Sequence, residues 1–239
     1  PARPFSDEVS VPPGRLKIAW SAKAINDAPV NAEVAAGLER SVALLESLGH
    51  ELHEEAPQID WPSYFEALVT IWSANLAWTI TLMGKILDRV PGPDNLQRVT
   101  EAIYRHGQDI SAAEFLTAQA AFNRANRAAS ALFEGYDLLL TPTLAKPPIK
   151  LGTLDQNAEG VDPATWTRQV FEWCAFTPLF NSTGQPAVSL PLHWTEGGLP
   201  IGMQFVARMN GEATLIRLAA QLEQAQPWAE RRPPLCYGG

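Results

Sequence analysis

Two periods of hydrophobicity alternate along this chain. Leu16, Ile18 and Trp20 are apolar at every second position directly after Pro12-Pro13-Gly14, and a turn followed by such a run predicts a strand. From about Ala32 to Leu48 the spacing changes. Val34, Leu38, Val42, Leu45 and Leu48 recur every three or four residues and so share one helix face, with Gly49 as the stop. Glu51 to Glu55 is a second short strand candidate. Strand, helix, strand is the pattern of a parallel pair in an α/β layer.

The middle of the chain reads as helical. An apolar segment from about Pro62 to Leu87 predicts a helix, closed by Pro91-Gly92-Pro93. Within it, Ala67 to Gly84 is 18 residues without a charge, close to the length of a membrane span. Thr70, Ser73, Asn75, Thr79 and Thr81 interrupt that run, and Glu66 and Lys85 bound it. A buried core helix is the expectation, and no membrane partner. A short helix follows over about Leu96 to His106, and Ser111-Ala112-Ala113-Glu114 is a capping box that opens a long helix to about Phe133, with Gly135 as its stop.

Strands dominate the remainder. Asp137 to Thr141 is apolar and bounded by Pro142, as a strand covered on both faces would be. Residues 142–161 are rich in Pro and Gly and read as a long loop. Asp162-Pro163 opens a helix reaching about Cys174. Ala187 to Leu190 and Ile201 to Ala207 are two strands joined through Gly197-Gly198, and a last helix runs from Glu212 to about Gln224. The fold class is α/β, a mixed sheet flanked by helices, with residues 1–239 as a single domain.

Composition narrows the function classes. The 239 residues carry a net charge of −8, with no Lys/Arg cluster beyond Arg231-Arg232, so nucleic acid is excluded as a partner. Cys174 and Cys236 form neither a Cys-x-x-Cys pair nor a zinc spacing, and read as two inert buried thiols of a reducing, cytoplasmic compartment. His50 and His53 straddle a helix end and a strand, which is poor ligand geometry, and His193 reads as a polar surface residue at a strand exit. Ser189 stands between Val188 and Leu190 in a strand, not on a Gly-x-Ser-x-Gly elbow. Glu54 and Glu55 point to opposite faces of a strand and cannot act as a pair. No phosphate-binding glycine loop is present, and no metal or other cofactor is expected. Pro1 stands where an initiator Met would, with no apolar leader after it, so the sequence reads as part of something longer or as a processed product.

A set of fixed spacings carries the strongest signal. Tyr136-Asp137-Leu138-Leu139-Leu140-Thr141-Pro142-Thr143 forms one motif. Asn181, Gly184, Pro186, Ala187, Ser189, Pro191, Gly198, Leu199, Pro200, Gly202 and Gln204 form a second, continued by Gly211-Glu212, Leu215, Leu218-Ala219, Leu222-Glu223 and Trp228. With Arg3-Pro4-Phe5-Ser6-Asp7-Glu8-Val9 and Pro13 to Ala19, these resemble the C-terminal half of the amidase signature family of serine amide hydrolases. Asn181-Ser182-Thr183-Gly184-Gln185-Pro186 with Leu192-His193-Trp194 resembles the 6-aminohexanoate cyclic dimer hydrolase-like branch.

The resemblance implies hydrolysis of a carbon–nitrogen amide bond through an acyl-enzyme, without cofactor. A serine nucleophile, a bridging serine and a lysine would carry the chemistry. The chain has no Ser-Ser pair and no Gly-Gly before a Ser, and Lys17, Lys23, Lys85, Lys146 and Lys150 match no catalytic position. No catalytic residue is therefore assigned, the isolated chain is expected to be inactive, and its expected partners are an amide substrate, the N-terminal half of the same fold and a second copy of itself. A non-catalytic binding or scaffold subunit is the alternative.

Three residues are candidates for substrate binding: Trp72, Asn75 and Asn181. Asn75 and Thr79 are four apart on the apolar helix, near Trp72 and Trp78; a pocket or a helix–helix hydrogen bond would satisfy Asn75. Asn181 lies on the loop from Phe176 to Gly184, where Asn is equally at home as a turn residue.

Overall fold

The structure, a computed structural model, describes residues 2–232. Cys236 lies outside the described residues. One mixed sheet organises the chain. Its strands are β1 (Lys17–Trp20), β2 (Glu51–Glu54), β3 (Leu138–Pro142), β4 (Ala187–Trp194) and β5 (Pro200–Ala207), in the order β2-β1-β3-β5-β4. β1 runs parallel to β2 and to β3, as the strand–helix–strand pattern requires. β5 is antiparallel to both β3 and β4, so the hairpin made by β4 and β5 reverses the sense of that half of the sheet.

The period-2 pattern divides the core into two layers. Ile18, Leu138, Leu140, Met203 and Phe205 point to one face, packed by α2 (Ala32–Ser47) and α8 (Glu212–Ala225) through Val34, Leu38, Leu45, Leu215, Leu218 and Leu222. Ala19, Leu139 and Val206 point to the other, where Tyr64, Ala125, Ala129, Leu179 and Phe180 close over them. These belong to α3 (Trp61–Leu87), α5 (Ala112–Leu132) and α7 (Pro178–Thr183). The caps follow the sequence. Asn31 accepts from the Glu33 N–H at 2.9 Å, Ser111 and Glu114 form the capping box, and Asp162 accepts from the Thr165 N–H at 2.9 Å to open α6 (Pro163–Phe171).

Two further elements complete the chain. The short α1 (Phe5–Glu8) is tied to α8 by Glu8, a buried carboxylate held by Arg217 at 2.6 Å and Arg3 at 3.3 Å. α4 (Arg98–Asp109) packs against α3.

Four expectations are corrected. α3 is not a buried core helix. Tyr64, Phe65, Ala67, Val69, Ser73 and Ala77 are buried, but Trp78 is 68% exposed and Ile86 64%. α4, α5 and α6 pack against parts of α3 and leave these side chains largely open to solvent. The loop from Phe176 to Gly184 contains a helix, α7, started by Pro178 and ended by Gly184 at φ +71°, a left-handed turn that glycine makes without strain. β4 extends past Leu190 to Trp194, because an irregularity between Leu190 and His193 absorbs Pro191. Apolar strands call for neighbours on both sides, which holds for β3 but not for β4, an edge strand here. Finally, His193 is buried rather than on the surface. Its Nε2 lies 2.7 Å from the Ser41 hydroxyl of α2, and burial, with Arg40 nearby, lowers its pKa to about 4.

Candidate functional site

A cleft of about 410 Å³ opens where α3, α5, α6 and α7 meet on the second face of the sheet. Trp72 and Asn75 enter it from α3, and Asn181 from α7. The three sequence candidates, far apart along the chain, thus share one wall-lined space. Thr79, four residues after Asn75, does not join them; it lines a separate hollow near the end of α3. Asn75 is exposed and makes no side-chain hydrogen bond among the described residues, so the helix–helix alternative is not realised. The Asn181 amide is likewise without a protein partner among the described residues, and its backbone lies in a helix rather than a turn.

The cleft is largely apolar. Leu68, Ile71, Phe122, Val170, Phe171 and Pro178 complete its walls, and Trp72 sits 6.3 Å from Phe171, ring to ring. Sequence reasoning missed these residues because an apolar side chain lining a cleft has the same periodicity as one in a core. Clefts of this kind, with apolar walls and a few oriented polar groups, suit small organic ligands.

The floor is held rigidly. Tyr64 of α3 is fully buried, stacks on Phe122 at 5.2 Å, and donates its hydroxyl to the Pro178 carbonyl at 2.9 Å. Burial pushes its pKa up to about 12, so the hydroxyl stays a donor throughout the ordinary pH range. Asn126 of α5 donates to the Ser182 carbonyl at 3.0 Å, and the Ser182 hydroxyl donates to the Leu179 carbonyl at 2.7 Å. Asn181 is therefore presented from a short helix pinned by its neighbours on both sides.

Among the described residues, no carboxylate, lysine or histidine lines this cleft. The one titratable group among the described lining residues is the half-buried Cys174 thiol, whose pKa is raised by burial and which is therefore a poor nucleophile. The cleft can bind, orient and exclude water, but it holds no general base and no activated nucleophile of its own.

A second cleft of about 420 Å³ lies beside β4. There the Thr143 and Ser189 hydroxyls are 2.6 Å apart, and Gly202 leaves them room: a Cβ at that position would come within 2.8 Å of both oxygens. Lys146 faces the same space but is committed to Glu172 at 3.0 Å and lies 4.3 Å above the Trp173 ring. His50 and His53 do not share a site. His50 Nδ1 accepts from the Leu16 N–H at 3.2 Å, and His53 contacts Glu51 at 2.7 Å.

Comparison with known proteins agrees with this architecture. A family model described as Amidase matches residues 1–216. The 6-aminohexanoate-cyclic-dimer hydrolase of Paenarthrobacter ureafaciens is 29% identical over 241 residues, which is 98% of this chain and 49% of that protein. A protein of Mycobacterium leprae named as an amidase is 34% identical over 194 residues, 80% of this chain and 40% of its own length. A solved structure of 6-aminohexanoate cyclic dimer hydrolase superposes with a TM-score of 0.88 at 28% identity, over 98% of this chain and 50% of that one. A bacterial aryl acylamidase shares the fold, with a TM-score of 0.79 at 22% identity. The chain spans about half the length of the curated relatives it matches. With this sheet, this order of elements and a match over most of its length, the chain belongs to the amidase signature family.

Proposed function

We propose that this chain is the C-terminal half of a serine amidase that hydrolyses a carbon–nitrogen amide bond through an acyl-enzyme, and that the cleft at Trp72, Asn75 and Asn181 forms one wall of its substrate site. The observation that carries this reading is the meeting of those three side chains in a single apolar cleft. A primary amide side chain both donates and accepts, so Asn75 and Asn181 can complement the C=O and N–H of a substrate amide. Trp72 and Phe171 offer flat apolar surface to the methylene or aromatic part of such a molecule.

The nucleophilic serine, the bridging serine and the lysine belong to the other half of the fold, because this chain holds no serine pair. Binding substrate and excluding water are the parts this chain supplies. The similarity to 6-aminohexanoate-cyclic-dimer hydrolase, together with the apolar walls, favours an aliphatic amide as substrate.

The test is a titration of the chain with 6-aminohexanoate cyclic dimer, following the side-chain amide signals of asparagine by NMR. Saturable shifts at Asn75 and Asn181, weakened at least tenfold in Trp72→Ala, are expected. Shifts confined to other residues, or binding indifferent to Trp72→Ala, would refute the assignment.

A further inference from the structure

Trp72 borders two hollows at once. Along α3, Leu68, Trp72 and Asn75 recur at spacings of four and three, so they share a face, and they line the cleft described above. Val69, Ser73 and Leu76 stand one residue further round the helix and line a second hollow, of about 180 Å³. Trp72 is the α3 side chain common to both. α6 divides in the same way. Its last residues, Val170 and Phe171, face the first space, and Trp166 and Thr167, a turn earlier, face the second. Ile103 of α4 closes the far side, so α3, α4 and α6 supply all the described walls of the second hollow.

The second hollow suits an apolar chain. Among the described residues no charged side chain lines it, and the Thr167 hydroxyl is spent on the Pro163 carbonyl at 2.7 Å. Apolar cavities stay dry and take up apolar groups. Its frame is fixed by close helix packing. Gly107 lets α4 approach α3 so nearly that a Cβ there would fall 2.0 Å from the Ser73 carbonyl oxygen. The partition is fixed as well. The Trp72 ring lies 6.3 Å from that of Phe171, which is buried and lies 6.2 Å from Trp61. An indole turns about two torsions only, so this aromatic row makes a stiff wall. We propose that Trp72 is the end wall of the substrate cleft and sets the length of aliphatic chain the cleft accepts, with the second hollow as the space that a longer chain reaches once the indole is removed. The inference rests on reading the cleft as a substrate site, and it adds the residue that decides between compact and long-chain aliphatic amides.

The experiment titrates the full chain with the straight-chain primary amides from butanamide to decanamide and with 6-aminohexanoate cyclic dimer, following the asparagine side-chain amide signals. In the native chain, affinity should rise about fourfold for each methylene buried and then stop rising within the series. In Trp72→Ala the rise should continue, so that decanamide binds at least tenfold more tightly than to the native chain, the effect of burying about two further methylenes. The compact cyclic dimer should bind the same variant at least tenfold more weakly. A merely structural role for Trp72 would weaken every ligand alike. Trp72 is half-exposed, so the circular dichroism of the variant should match that of the native chain. Trp72→Leu, a milder change, should move the stop in the same direction by less. Adding Ile103→Trp to Trp72→Ala fills the second hollow from α4 and should restore the early stop. Decanamide binding no tighter to either Trp72 variant overturns the inference, and so does a native series that rises without a stop. The two claims fail separately. Shifts at Asn75 and Asn181 with a stop indifferent to Trp72 keep the cleft as the substrate site and remove the end wall; no shift at either residue with any amide removes both.

Discussion

The two edges of the sheet differ in what their side chains permit. On β2, Glu51 is held by His53 at 2.7 Å and Arg15 at 3.4 Å, and just beyond the strand Tyr136 donates to Glu55 at 2.6 Å. The hydrogen bond from His53, more than any other influence, keeps the Glu51 carboxyl below its ordinary pKa, so the edge remains charged. Pairing another strand there would strip water from these charges, which is how β-proteins discourage unwanted partners. Along β4 the exposed positions are Ala187 and Ser189, with no charge to desolvate. One edge is lined by charge and the other is not.

The largest expected effect attacks what holds the β4 edge in place. Phe205 of β5 is fully buried between β3 and β4. Phe205→Ala should cost about 3–5 kcal/mol in urea unfolding, the range for an emptied aromatic site in a core. Exchange should accelerate in β4 before it does in β2, since the loss lies on the β4 side of the sheet.

A second effect depends on pH. His193, on β4, has a folded pKa of about 4, below the ordinary 6.5 of histidine. The native state therefore keeps it neutral while the unfolded chain takes up a proton. Stability from this source is complete above pH 6.5 and is lost as pH falls toward 4, by about 3 kcal/mol in all. His193→Gln should flatten the stability curve of this protein between pH 6.5 and 4. An unchanged slope would mean that His193 is solvated in the native state.

Smaller effects follow from the site and from the charged edge. Tyr64→Phe removes the hydroxyl bound to Pro178 and leaves that buried carbonyl short of a donor, a loss of about 1–2 kcal/mol. Ligand shifts at Asn181 should weaken with it, because α7 loses a tether. Glu51→Val with His53→Val should change stability by about 1 kcal/mol or less, since both groups are partly exposed. Sedimentation should nevertheless show that double variant associating with itself through β2. A monomeric variant would break the contrast between the edges.

Much of this fold was legible in the sequence because its signals were local. The capping box at Ser111, the Asp162-Pro163 helix start and the apolar run Leu138-Leu139-Leu140 each act within a few residues. Hidden features depend on contacts between distant segments. His193 looked like a surface residue until Ser41, on α2, supplied its partner across the core. The exposure of Trp78 and Ile86 reflects where α4 and α5 stop covering α3, which periodicity does not encode. The candidate cleft was half legible: polar Asn75 and Asn181 stood out in apolar or turn-like surroundings, whereas Phe122 and Phe171 resembled any core residue.

Hydrolysis of 6-aminohexanoate cyclic dimer by this chain, assayed alone and after addition of the Paenarthrobacter ureafaciens N-terminal half, tests the central claim most directly. The account predicts no turnover by the chain alone and turnover once the halves combine. Turnover by the chain alone would contradict it, as would an assembled complex inert toward every amide offered.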